Sequence, residues 1–155
     1  MYASEDVTIK AKELFSLAEV LFEQGQQMRF TITGNSMYPF MRHRTDEVTL
    51  AAPDYSKLKK GMIVLALRDN GQFVLHRIVK LKKAGFYMIG DAQTNLDGPY
   101  RPDQLKAIVT GVFRRGDEIT HSIKWRIAST VWRWIVPLRP LIIKTRTKMA
   151  GGKRD

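Results

Sequence analysis

From Arg29 onward the chain reads as a series of short β segments, and this pattern constrains its fold more than any other feature of the sequence. The strongest pair of segments covers residues 61–68, a nearly continuous apolar run, and residues 73–82. Between them stand Asp69, Asn70 and Gly71, and an Asn-Gly step flanked by strands predicts a β-hairpin. Further strands are predicted at residues 29–33, 48–51, 86–89 and 108–113. The sequence therefore indicates a mainly β domain.

Amphipathic helices are predicted on both sides of this β domain. Before it, apolar residues recur at helical spacing over residues 7–22, and Gly25 follows as a stop signal. With 155 residues, of which 44% are hydrophobic, the chain is long enough to bury one proper core. We divide it into an N-terminal helix at residues 1–27, a β domain at 28–120 and a tail at 121–155.

The tail is predicted to contain a basic, tryptophan-rich amphipathic helix. At about 100° per residue its apolar side chains fall on one stripe. The stripe consists of Ile123, Ile127, Val131, Trp134 and Leu138. Trp125 and Trp132 are expected to broaden it, whereas Arg126, Ser129 and Arg133 are expected on the opposite side.

Two interpretations of this tail stay open. The stripe either packs on the β domain as an ordinary terminal helix, or it lies in the headgroup region of an anionic membrane contacted by residues 123–148. Charge favours the membrane, since residues 121–155 hold nine Lys or Arg against one Asp and so carry +8 of the net charge of +11. Nucleic acid is not the expected partner, because no recognisable nucleic-acid-binding module accompanies the basic residues.

Features that the sequence lacks narrow its class further. No run approaches the roughly 20 apolar residues that span a bilayer. The N-terminus is acidic where a secretory signal has a basic region. We therefore expect a cytoplasmic or peripherally membrane-associated protein. The chain has no cysteine, and its three histidines show no metal-ligand spacing, so neither a metal nor another cofactor is expected.

Four polar residues in separate blocks are candidates for a catalytic site. Ser36 stands in a Gly-Asn-Ser-Met-Tyr-Pro stretch, His76 follows forty residues later, and Asp91 and Asp97 come after it. A serine hydroxyl is a weak nucleophile until a neighbouring base takes its proton, and an imidazole does this best when a carboxylate fixes its tautomer. These residue types are the components of a serine hydrolase.

The same residues also have purely structural interpretations. His76 lies between Val74 and Ile78 on one strand face, where a hydrogen-bonded core histidine is common. Asp97-Gly98-Pro99 is also a turn sequence, and Gly90-Asp91 is compatible with another. The combination of all the blocks favours catalysis.

Together these blocks resemble the signal peptidase superfamily, which also contains the self-cleaving SOS-repressor peptidases. The family pattern is a Ser-Met-x-Pro nucleophile loop, a strand with the general base directly before an arginine, and a Gly-Asp box. Here the blocks are Ser36-Met37-Tyr38-Pro39, His76-Arg77-Ile78 and Gly90-Asp91, and the resemblance covers residues 30–113. Bacterial members usually have lysine as the base, so the histidine resembles the endoplasmic-reticulum and archaeal branch. That branch has a second aspartate six residues after the first, as Asp97 follows Asp91.

The resemblance implies a signal-peptidase/repressor-peptidase-like β domain that works as a serine endopeptidase. Ser36 is then the nucleophile and His76 the general base. Asp97 is the expected third member of the triad and Asp91 a supporting acid, with an exchange of these two roles left open. The implied substrate is a signal or leader peptide, bound in extended conformation and cleaved after small residues.

One departure from the family concerns the oxyanion. Gly34 stands where typical signal peptidases have a serine donor, a form similar to the repressor peptidases, so backbone N–H groups are expected to hold the oxyanion. The alternative to a peptidase acting on other chains is a regulatory module of the same fold on a membrane surface, either non-catalytic or self-cleaving. Candidate self-cleavage bonds are Ala84-Gly85 and Ala150-Gly151.

Overall fold

The computed structural model describes residues 3–139, and over this range the chain forms one antiparallel sheet with a helix at each end. The helices are α1, Ala3–Glu23, and α2, Ile123–Trp134. The strands are β1 Met28–Thr31, β2 Asp46–Ala51, β3 Ile63–Leu67, β4 Phe73–Lys82, β5 Gly85–Ile89, β6 Asp97–Tyr100, β7 Leu105–Arg114 and β8 Asp117–Glu118. Single 3-10 turns cover Tyr55–Lys57, Pro102–Gln104 and Val136–Leu138. The predicted mainly β class with two flanking helices is confirmed.

The sheet places its strands in the order β1-β2-β7-β3-β4-β5-β6, with β8 beside β7. The predicted hairpin joins β3 to β4, and Val64 lies opposite His76 in it. Gly71 in the turn has a φ of 82°, a conformation that glycine adopts without steric cost, which explains the Asn-Gly step. On its other side β4 pairs with β5. The strand that carries His76 is therefore held between two neighbours.

Apolar side chains on the two faces of the sheet form separate clusters. In the first, α1 packs through Phe15 and Phe22, and the ring of Phe15 lies 5.0 Å from that of Phe73. Val74 and Ile78, which alternate with Phe73 along β4, belong to the second cluster. Burying one such large side chain contributes about 1.5–3 kcal/mol. These contacts hold α1 against the sheet by its inner face.

Two strands go beyond the sequence prediction. β6 begins at Asp97, where the Asp-Gly-Pro sequence is typical of a turn, and it forms one edge of the sheet beside β5. β8 is two residues long and pairs with the end of β7. Both depend on pairing with a strand that is already present, and local sequence patterns do not contain that information.

The helix α2 packs on the domain with the face opposite to the predicted stripe. Trp125 and Trp132 turn inward, where their rings lie 5.9 and 6.0 Å from the ring of Phe40. Ser129 is buried on this same inner face, opposite the stripe as predicted. The expectation that Trp125 and Trp132 broaden the stripe is wrong, because both pack inward on the other face. The five stripe residues are all exposed: Ile123, Ile127, Val131, Trp134 and Leu138. Helical periodicity reveals an apolar face but not what covers it, which is why the sequence left the two interpretations open.

Between residues 3 and 139 no helix is both long and apolar enough to cross a lipid bilayer. The predicted membrane-contacting segment 123–148 extends past Arg139, and its remaining residues lie outside the described range, as do most of the basic residues of the tail.

Candidate active site

His76 is a buried residue of β4, with 3% of its side chain exposed. It shares a strand face with Val74 and Ile78, which both belong to the apolar cluster on that side of the sheet. The imidazole therefore projects into a low-dielectric environment, in which a charge on it is unfavourable.

The carboxylate of Asp97 lies beside this imidazole. Its Oδ2 atom is 3.4 Å from Nδ1 of His76, although the pair does not reach hydrogen-bond geometry and Nδ1 has no other partner among the described residues. The same Oδ2 accepts hydrogen bonds from Nη2 of Arg68 at 2.6 Å and from the hydroxyl of Tyr100 at 2.8 Å. Asp97 is thus fixed by two donors in a position that faces the histidine.

Sequence reasoning missed Arg68 and Tyr100. Arg68 follows β3 at the start of the hairpin turn, and no motif distinguishes it from the other arginines of the chain. Tyr100 is three residues from Asp97, and the two side chains bond within β6, a strand that the sequence did not predict. Only a correct prediction of β6 would have indicated that Tyr100 lies near Asp97.

Burial is the main influence on the pKa of His76 and moves it below its ordinary value of 6.5. The charge of Asp97 raises this pKa part of the way back, and the guanidinium of Arg68 lowers it again. At neutral pH the imidazole is therefore uncharged, which is the state that accepts a proton.

Asp97 is ionised under the same conditions. Burial alone would raise its pKa, but hydrogen bonds from Arg68 and Tyr100 outweigh burial and hold the pKa below its ordinary value of 3.8. The pKa of Tyr100 is raised to about 12, chiefly by burial and also by its bond to the carboxylate. Tyr100 therefore stays protonated as a donor.

Ser36 lies in the loop after β1, and contacts on both sides fix this loop. The carbonyl of Ser36 accepts a hydrogen bond from the N–H of Ala92 at 2.8 Å. A Cβ atom on Gly90 would lie 2.6 Å from the same carbonyl oxygen, so the close approach requires glycine. On the other side the N–H of Gly34 donates to Nδ1 of His43 at 2.8 Å, a contact that no motif indicates. The Gly-Asp box is thus packed directly against the serine.

Ser36 and His76 make no direct hydrogen bond to each other. Neither the hydroxyl nor the N–H of Ser36 makes a hydrogen bond within residues 3–139, and Nε2 of His76 makes none there either. The two residues are linked indirectly, because the box follows β5, whose last residue Ile89 pairs with Arg77 next to the histidine. A direct hydrogen bond from the Ser36 hydroxyl to Nε2 of His76 is not formed.

Asp91 is paired with Arg77 instead of His76. Its carboxylate accepts hydrogen bonds from Nε of Arg77 at 2.9 Å and from Nη2 at 2.7 Å, and both side chains are buried. Because Arg77 alternates with His76 along β4, it projects from the opposite face of the strand. The bidentate ion pair fixes the box to the sheet. Of the two aspartates, the geometry brings Asp97 to the imidazole.

The C-terminal helix and Arg139, which follows it, are bonded to the same box. Nε1 of Trp132 donates to the carbonyl of Asp91 at 2.9 Å, and Nη1 of Arg139 donates to the carbonyl of Gly90 at 3.2 Å. Arg139 is fully buried, with Nη2 3.7 Å from Oδ1 of Asp91. Burial lowers its pKa and the carboxylate partly restores it. Sequence reasoning did not foresee these contacts, because they join residues 41 and 49 positions apart.

An open groove of about 370 Å³ lies beside Asp97. It is lined by Arg68, Asp97 and residues 92–96, the loop that follows the Gly-Asp box. Within the described part of the chain, no group of three or more His, Cys, Asp or Glu side chains is arranged to hold a metal ion. Comparisons of the sequence with protein-family models and with curated proteins find no match.

Proposed function

We propose that the protein is a serine endopeptidase of the signal-peptidase-like type, which cleaves signal or leader peptides after small residues. The observation that carries this proposal is the pairing of a buried imidazole with a fixed carboxylate, His76 with Asp97 at 3.4 Å. The hydrogen bond from Ala92 to the carbonyl of Ser36 supports it, because Ala92 belongs to the loop that leads from the Gly-Asp box to Asp97. The antiparallel sheet with these three blocks in this order supports a signal-peptidase/repressor-peptidase-like fold.

In the proposed reaction the hydroxyl oxygen of Ser36 attacks the scissile carbonyl carbon while Nε2 of His76 takes the hydroxyl proton. The imidazolium keeps its second proton on Nδ1, where the carboxylate of Asp97 stabilises it. Nε2 then returns the proton to the leaving amine, and an ester on Ser36 remains. Water, which gives a proton to the same imidazole, hydrolyses this ester and restores the free hydroxyl.

The oxyanion of the tetrahedral intermediate is assigned to backbone donors. The N–H of Ser36 has no partner among the described residues and is available for this role. Gly34 offers no side-chain donor, and its φ of 90° gives the loop a bend that glycine adopts without strain. A preorganised donor of this kind contributes about 3 kcal/mol to transition-state stabilisation in well-studied hydrolases.

An extended peptide is the substrate that the edge of the sheet suits best. β6 is the last strand in the order, beside β5, and it begins at Asp97. Its outer edge therefore starts at the candidate site. A peptide that adds to such an edge gains main-chain hydrogen bonds, and its alternate side chains face the surface. No cofactor takes part in the proposed reaction.

A regulatory module of the same fold, non-catalytic or self-cleaving, is the competing function. The Ala84-Gly85 bond is a poor target for self-cleavage, because Gly85 is buried at the start of β5 and a Cβ atom there would lie 2.6 Å from the carbonyl oxygen of Tyr100. The Ala150-Gly151 bond lies outside the described residues. A non-catalytic module has no need of a neutral histidine paired with an ionised aspartate.

The proposal is tested by incubating the purified protein with leader peptides that carry Ala or Gly before the cleavage site and reading the products by mass spectrometry. Ser36→Ala is expected to lower the cleavage rate by several orders of magnitude. Ser16→Ala is the matched control, since its hydroxyl bonds only to the carbonyl of Lys12 on the exposed side of α1. Equal cleavage by wild type and Ser36→Ala would remove the nucleophile from the mechanism.

A further inference from the structure

The most exposed large apolar surface of the described chain is the outer face of α2. The exposed fractions are 72% for Ile123, 59% for Ile127, 53% for Val131, 80% for Trp134 and 52% for Leu138. Soluble domains scatter single apolar residues over their surface, but a continuous apolar stripe marks a site of interaction.

This stripe does not pack on the β domain, because the opposite face of α2 is docked there. Trp125 and Trp132 pack against Phe40 on that inner face. Trp132 donates to the carbonyl of Asp91, and Arg133 donates to the carbonyl of Lys60 at 3.2 Å. Turning the stripe inward would break all these contacts. The helix therefore presents the stripe outward as a fixed surface.

Charge distinguishes among the occupants that would cover such a stripe. α2 contains Lys124, Arg126 and Arg133 and no acidic residue, and the chain from residue 121 onward carries +8. A second copy of the chain would bring the same positive charge to the interface and be repelled. An anionic surface complements it, and exposed tryptophan on a basic amphipathic helix is typical of helices that lie in the headgroup region of a bilayer.

We propose that the outer face of α2 docks on an anionic lipid bilayer, with the stripe residues Ile123, Ile127, Val131, Trp134 and Leu138 inserted among the headgroups and the exposed Lys124 and Arg126 contacting lipid phosphates. The helix lies in the plane of the surface, and the β domain stays on the aqueous side. This docking is independent of peptidase activity.

Co-sedimentation with vesicles tests the docking on the full chain. Vesicles of equal parts phosphatidylglycerol and phosphatidylcholine are expected to bind the protein, those of phosphatidylcholine alone to bind it weakly, and added salt to weaken binding by screening. The double variant Ile127→Ser/Val131→Ser is expected to lose about tenfold in affinity. Its matched control is Leu17→Ser/Val20→Ser on α1, where exposure is similar at 53% and 50% and binding should remain that of wild type.

Trp134 provides a second readout that does not depend on affinity. Its emission is expected to shift to the blue on binding to anionic vesicles, and Trp134→Phe should remove most of this change because Trp125 and Trp132 are already packed. The double variant Ile127→Ser/Val131→Ser should unfold in buffer at the same temperature as wild type, which would confirm that it folds.

Three outcomes would overturn the proposal. Unchanged binding by the α2 variant would mean that charge alone holds the protein to lipid. An equal loss of affinity in the α1 control would mean that the stripe on α2 is not the specific lipid contact. The third is a blue-shifted emission of Trp134 in lipid-free buffer, which means that protein already covers the stripe. If light scattering then shows a monomer, residues 140–155 of the same chain cover it. If light scattering shows a dimer that the α2 variant dissociates, a second copy of the chain covers it.

Discussion

The indole N–H of Trp132 donates a hydrogen bond of 2.9 Å to the backbone carbonyl of Asp91. The next residue in the chain, Ala92, donates its N–H to the carbonyl of Ser36. The C-terminal helix and the candidate nucleophile are therefore attached to the same peptide unit of one loop. A helix that sequence analysis treats as an appendage becomes part of the framework that positions Ser36.

Trp132→Phe should separate this positioning role from packing. Phenylalanine keeps an aromatic contact with Phe40 but leaves the carbonyl of Asp91 without its donor, which costs about 1 kcal/mol in the free energy of unfolding. We expect a severalfold loss of kcat for peptide cleavage with KM nearly unchanged. The matched control is Trp134→Phe, because Trp134 is 80% exposed. A fall in kcat of the same size in both variants would argue against the positioning role.

Ser36 and His76 should behave as one catalytic unit. His76→Ala alone is expected to lower kcat about as much as Ser36→Ala, and the double variant should lose little more than either, because each removes the same proton-transfer step. The three rates are measured with one leader peptide under saturating conditions. Losses that add independently in the double variant would contradict a shared step.

The two aspartates should differ in what their substitution damages. Asp97→Asn is expected to lower kcat by about a thousandfold while the protein stays folded, since a carboxylate that stabilises the imidazolium is lost. Asp91→Asn leaves Arg77 with an uncompensated buried charge, so it should cost about 3 kcal/mol of stability. Rates together with thermal unfolding decide this assignment. The roles must be exchanged if Asp91→Asn is stable and inactive while Asp97→Asn is active.

The pH dependence of cleavage should show an acidic limb below pH 6.5, because the rate requires neutral His76 and burial moves its pKa below that value. Arg68→Gln should move this limb to higher pH, since the guanidinium is one of the influences that lower the pKa of His76. Arg101→Gln, on an exposed arginine paired with Asp69, is the control and should leave the limb in place. A limb that does not respond to Arg68→Gln would exclude its influence on His76.

The same depressed pKa has a consequence for stability. The unfolded chain binds a proton at His76 more readily than the folded chain does, because the pKa is lower in the folded state. The contribution of His76 to the free energy of unfolding is therefore complete above pH 6.5 and is lost as the pH falls through the folded-state pKa. Denaturant unfolding of wild type and His76→Gln at several pH values measures this, and the substitution should flatten the slope in that range.

Local chemistry made much of the framework predictable from sequence. The Asn-Gly step and its apolar flanks gave the β3–β4 hairpin, and strand alternation put His76 on one face with Val74 and Ile78. The short edge strand that carries Asp97 was not predictable in the same way. Its residues favour a turn, and only pairing with β5 makes them a strand.

The sequence by itself determined the residue types of the candidate site, the mainly β class and the existence of an apolar stripe on the tail helix, because each depends on neighbours close along the chain. Tertiary structure decided which aspartate faces His76, that Arg68 and Tyr100 hold it, and that α2 docks by its tryptophan face with the stripe outward. These outcomes depend on contacts between residues far apart in sequence, and a helical or strand period is the same whichever surface its two faces meet.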